Sequence, residues 1–102
     1  MGNAFPEVHE MISAATSTTT SSEVYFNRHL DESGLMQVSF SVGGTYGCEL
    51  QSNPFGDGRW CLVAYKNHSN GDTIVAVPID HHMRIVINSF SGGATVSVWL
   101  MA

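Results

Sequence analysis

From Met36 to Val42 the chain alternates strictly: Met36, Val38, Phe40 and Val42 are apolar, and Gln37, Ser39 and Ser41 between them are polar. Side chains two residues apart share one face of an extended strand, whereas on a helix they diverge. A period of two therefore commits this segment to a strand with one face buried and one face wet. The same rhythm returns with Tyr46, Cys48 and Leu50 set against Gly47, Glu49 and Gln51. It returns again around Ile85 and Ile87 in 83–88, and in Val96, Val98 and Leu100. Arg59 to Tyr65 reads as a further strand, and Thr73 to Val77 is a β-branched run stopped by Pro78.

Turn formers punctuate these runs. Asp31-Glu32-Ser33-Gly34, Gly43-Gly44, the SNPFGDG of 52–58, the KNHSNGD of 66–72 and Ser91-Gly92-Gly93 are clusters that favour turns and positive φ. About seven short strands at such spacing predict an antiparallel β-sandwich over residues 23–102, jelly-roll or immunoglobulin-like. Gly43-Gly44 predicts a tight hairpin between its flanking strands.

Residues 1–22 differ. Ala14 to Ser22 reads AATSTTTSS and offers no core-forming side chain. Before it, Phe5, Val8, Met11 and Ile12 recur at near-helical spacing, enough for one or two turns. This predicts an N-terminal arm outside the sandwich, extended or briefly helical: a mobile tail, or an arm that orders on a partner by burying those four residues.

The arm and the loops carry few charges. Only 13% of the 102 residues are charged, about half the usual share, while 43% are hydrophobic. The surface is therefore made of Ser, Thr, Asn and Gly, as suits a chain that sits against other subunits. Four basic residues, Arg28, Arg59, Lys66 and Arg84, are scattered among nine acidic ones for a net charge of −5. Nucleic-acid binding needs clustered cations to displace counterions from phosphates, so it is not expected. No apolar run approaches the ~20 residues of a membrane helix, and no secretory leader is legible, which predicts cytosolic synthesis.

Strand parity sorts the aromatic residues. With Tyr46, Cys48 and Leu50 inside, cross-strand parity places Cys61, Val63 and Tyr65 inside, and Trp60 and Leu62 outside. Val86 and Trp99 also point out, since their neighbours Ile85, Ile87, Val98 and Leu100 point in. Trp60, Leu62, Val86 and Trp99 form an outward apolar group, the mark of an interface unless the leader or a loop covers them. If Gln51 pairs with Gly58, Cys48 stands opposite Cys61. Such a pair is able to form a disulfide, but a cytosolic chain favours two packed thiols.

The stretch from Val42 onward resembles a pattern in small structural proteins of tailed bacteriophages. In that pattern a G-T strand ending in Gln precedes a Gly/Asp turn, then a Trp-containing strand, a Pro, an Arg-aliphatic strand and a closing G-x-V-x-V strand. Here these are GGTYGCELQ, SNPFGDGRWCLVAYK, VPIDHHMRIVI and NSFSGGATVSVWL, covering roughly the last 60 residues. Cys48, Cys61 and the His81-His82 pair depart from it. The resemblance implies a virion protein assembled in the host cytoplasm as repeated copies, a homotrimer or a lattice. The role it implies is head decoration (cement) on a major capsid protein, or a neck, tail or spike accessory. It implies no catalytic residue and no cofactor.

The residues themselves agree in offering little chemistry. His81 and His82 are adjacent, so on a strand they point to opposite faces and do not chelate one ion. The carboxylate pairs, Glu7 with Glu10 and Asp31 with Glu32, lie in the leader and a turn, not on a rigid groove. No enzyme is expected, and no metal site. The rival expectation is a carbohydrate-binding sandwich, for which Trp60, Tyr65 and Trp99 are the available rings. Flat open aromatics among polar neighbours would favour it; apolar aromatics would favour assembly.

Overall fold

Each long alternating segment becomes a strand in the computed structural model, which describes residues 7–26, 32–41, 44–53, 56, 58–68, 71–93 and 95–102. The strands are β1 (Val8–Ala15), β2 (Thr19–Thr20), β3 (Val24–Tyr25), β4 (Glu32–Phe40), β5 (Gly44–Ser52), β6 (Cys61–His68), β7 (Gly71–Ile79), β8 (His82–Gly92) and β9 (Val96–Met101). No helix occurs among the described residues.

Two antiparallel sheets face each other. The first has the order β1-β9-β4-β7, the second β2-β8-β5-β6, with β3 also paired to β8. The pairs nest: β5 with β6 innermost, then β4 with β7, then β2 and β3 with β8, and β1 with β9 outermost. A long antiparallel ribbon rolled in this way, with successive pairs passed alternately to the two sheets, is a jelly roll. The immunoglobulin-like alternative is thereby set aside.

The inward residues are those the alternation marked. Met36, Val38 and Phe40 of β4, Leu50 of β5, Met83, Ile85 and Ile87 of β8, and Val96, Val98 and Leu100 of β9 are all buried. Each contributes ~1.5–3 kcal/mol by leaving water. In the first sheet Met36 stands beside Leu100, Val38 beside Val98 and Phe40 beside Val96, so one register aligns both hydrophobic sets.

Three expectations are corrected. First, the leader is not an arm apart from the sandwich. Residues Val8–Ala15 are the edge strand of the first sheet, and Ile12 lies in the core at 5% exposure. Register shifts flank Ile12, between Glu10 and Ile12 and between Ile12 and Ala15. These bulges break the period of two, which is why the apolar spacing imitates a helix. At the second shift Ala14 takes a positive φ of 50°, and its N–H donates to Ser97 Oγ at 2.9 Å. The Ser/Thr run then carries the chain across to the second sheet.

Second, Gly34 does not close a turn. It lies inside β4, where a Cβ would sit 2.2 Å from the Met101 carbonyl oxygen and 2.8 Å from Ile79 Cγ1. Glycine is needed here because β9 and β7 approach too closely for any side chain.

Third, Gly43-Gly44 makes no hairpin. Strand β4 pairs with β7 and β9, and β5 pairs with β6 and β8, so the chain changes sheets between them.

Candidate functional site

The two sheets turn unlike faces to the outside. On the first sheet, one cross-strand row reads Val8, Met101, Leu35, Ala76, and the next reads Glu10, Trp99, Gln37, Ile74. Val8 is 61% exposed and Ile74 58%. Leu35, Trp99 and Met101 are half-buried. An apolar band therefore crosses all four strands, with Glu10 its charged member. Isolated apolar residues on a surface are ordinary, but a contiguous band is not.

The outer face of the second sheet is polar and aromatic. Strand β8 presents His82, Arg84, Val86 and Asn88; Gln51 faces Arg84 and Glu49 faces Val86 across β5. Arg84 Nε donates to Gln51 Oε1 at 2.8 Å, and Gln51 Nε2 donates to Glu49 Oε1 at 2.8 Å. Asn88 Nδ2 donates to the other oxygen of Glu49. The Arg84 guanidinium lies 4.2 Å from the centre of the Trp60 ring.

At one end of this face sits a buried histidine. His82 is 6% exposed, and its Nε2 is 2.6 Å from Glu23 Oε1. Tyr25 stacks on the imidazole at 4.3 Å with an interplanar angle of 12°, and Trp60 meets it edge-on at 4.9 Å. Tyr25 faces His82 in the β3–β8 register and is 66% exposed, so its second ring face is open.

The expected outward group is thus split. Trp60, half-buried just before β6 and packed on Arg84, Leu62, 60% exposed, and Val86, half-buried between Thr20 and Glu49, lie on the outer face of the second sheet. Trp99 and Val8 lie on the opposite side of the molecule. Met11 is partly buried against the core and Ile12 is in it, so Ile12 is not available to a partner. Phe5 lies outside the described residues, as do the side chains of Tyr65 and His68. Sequence reasoning missed Glu23, Tyr25, Gln51, His82 and Arg84. Tyr25 between Val24 and Phe26 carried a signal, since both neighbours are buried and Tyr25 must point out.

The cysteine register is also corrected. Cys48 faces Lys66, and Cys61 faces Ser52. The connection between β5 and β6 is longer than a turn centred on SNPFGDG, and a register shift at Leu50/Gln51 adds to the offset. Both thiols are free; Cys48 is buried and Cys61 exposed. Burial, and then the neighbouring Glu49 charge, push the Cys48 thiol up to about 12.

Ser52, Asp80 and His81 meet at the corner between β7 and β8. Ser52 Oγ donates to Asp80 Oδ2 at 2.7 Å, and His81 Nδ1 lies 3.1 Å from Asp80 Oδ1. The carboxylate stands between hydroxyl and imidazole, so the imidazole is not placed to take the hydroxyl proton. Among the described residues no three His, Cys, Asp or Glu side chains converge as metal ligands would. An open recess under the Ser/Thr crossing, bordered by Met11, Ile12, Thr16 and Ser22, is lined among the described residues by hydroxyl and aliphatic side chains.

Fold and surface together define a two-sheet jelly roll with one apolar and one polar-aromatic outer face. The crystal structure of SPBc2 prophage-derived protein YomS is similar to it, with a TM-score of 0.55 and 14% identity over 94% of this chain and 92% of that one. At that identity the likeness is one of fold. No family model matches the chain, and no curated protein matches it in sequence.

Proposed function

We propose that this chain is a non-catalytic structural protein of a bacteriophage particle, a head decoration (cement) subunit that docks through the outer face of its first sheet. The observation that carries this reading is the apolar band Val8–Met101–Leu35–Ala76 with Trp99 and Ile74 beside it. The fold shared with a prophage-derived protein supports it. So does the resemblance of the last strands to phage structural proteins. The neighbour it docks on is a major capsid protein, or a further copy of itself within an array. Binding the assembled shell, and no other state of it, converts contact free energy into shell stability by mass action. A neck, tail or spike position uses the same face.

The test is Leu35→Lys combined with Ile74→Lys, both on exposed or half-exposed outward positions. The variant keeps the melting temperature of the free protein within a few degrees and disappears from gradient-purified virions. Full occupancy of the variant on virions refutes the docking face. Density for the chain in electron micrographs of the particle decides between head, neck and tail.

A further inference from the structure

We infer that the open face of Tyr25, with Trp60, Arg84, Gln51 and Glu23 around it, is a binding site for a neutral saccharide. This goes beyond the docking role and uses the opposite side of the molecule.

The site is preorganised. Tyr25 is exposed, yet its ring is held flat against His82, which is itself buried, bonded to Glu23 and braced by Trp60. A ring mounted on a fixed support loses little freedom when a ligand covers its other face. The aliphatic C–H face of a pyranose matches such a surface, being flat, apolar and weakly positive against the negative face of the ring.

The polar groups nearby suit hydroxyls. Arg84 only donates, Glu23 and Glu49 only accept, and Gln51 does both. A sugar hydroxyl donates and accepts together, so mixed donors and acceptors along one strand pair complement neighbouring hydroxyls. Charge points away from a polyanion. Two carboxylates, Glu23 and Glu49, stand against Arg84, on a chain of net charge −5. Positive charge is not in excess, so there is no field to select phosphate or uronate.

The experiment uses the full chain carrying Trp99→Phe, which leaves Trp60 as the sole tryptophan of the two. Hexasaccharides of α-linked glucose, β-linked glucose and N-acetylglucosamine are titrated while Trp60 fluorescence and amide chemical shifts are followed. A hyaluronan hexasaccharide serves as the acidic contrast. At least one neutral probe binds with a Kd of about 10 mM or tighter. Tyr25→Ala weakens it about tenfold or more, and Tyr25→Phe, which keeps the ring, does not. In the chain that keeps Trp99, Tyr25→Ala leaves occupancy on virions unchanged, which separates this site from the docking face. The inference is overturned if no neutral probe binds at about 10 mM, if Tyr25→Ala binds equally well, or if the acidic probe alone binds.

Discussion

The Ser52 hydroxyl and the Asp80 carboxylate, 2.7 Å apart, fasten the end of β5 in one sheet to the corner by which the chain leaves the other. Ser52 is 1% exposed and Asp80 4%. Burial alone would raise the Asp80 pKa. Hydrogen bonds from Ser52, from the His81 N–H and from the His81 ring outweigh it and hold the carboxyl below its ordinary 3.8.

A depressed carboxylate stabilises the fold above its unfolded pKa, and the contribution is lost as pH falls through the folded value. Asp80 should therefore contribute a loss of stability as pH falls below about 4. Asp80→Asn should cost about 1.5–3 kcal/mol at pH 7, the worth of a hydrogen bond to a charged group, and flatten that decline. Urea unfolding between neutral and acidic pH measures both.

Ile12→Ala should destabilise the free protein by about 2–5 kcal/mol, as other buried Ile truncations do. Deleting the residues up to Thr20 should be worse, because it also strips β1 from β9 and β2 from β8. Thermal melting decides this. An unchanged melting temperature would mean that the first strand is dispensable after all.

Tyr46→Phe should be neutral or stabilising by up to about 1 kcal/mol. The Tyr46 hydroxyl is buried without a hydrogen-bond partner among the described residues, and burial, then the Cys48 charge, raise its pKa to about 12. Removing an unsatisfied polar atom relieves its desolvation penalty. The ring contact with Phe40, at 4.8 Å, stays in place. Denaturant midpoints of the two proteins give the answer.

A thiol reagent should label one cysteine of the native protein, Cys61, and reach Cys48 only after unfolding. The raised pKa of Cys48 removes its thiolate at neutral pH, and burial blocks access. Mass spectrometry of labelled peptides reads the result. Rapid labelling of Cys48 would contradict the register of β5.

The strands whose inward residues all reach the core were legible from alternation: β4, β5, β8 and β9 follow it, and their apolar sets meet across the sandwich. Strand β1 was not, because bulges either side of Ile12 shift its register and leave Val8 outward. The cysteine pairing failed because a hairpin's register depends on loop length and bulges, which composition does not fix. The aromatic site failed for a topological reason. Tyr25 and His82 become neighbours only when β3 lies along β8, and nothing local in either segment announces that pairing.

The nested strand order also bears on how the chain acquires its structure. Strand β9 lies between β1 and β4, although it is synthesised after both. Until it emerges from the ribosome, β1 has no partner in its sheet, and β4 leaves one edge unpaired. Pairing across most of the chain length is slow, because the loop must close before any contact rewards it. The first sheet is therefore completed only after synthesis of Met101, and β1, with its apolar Val8, Met11 and Ile12, has no partner strand until then.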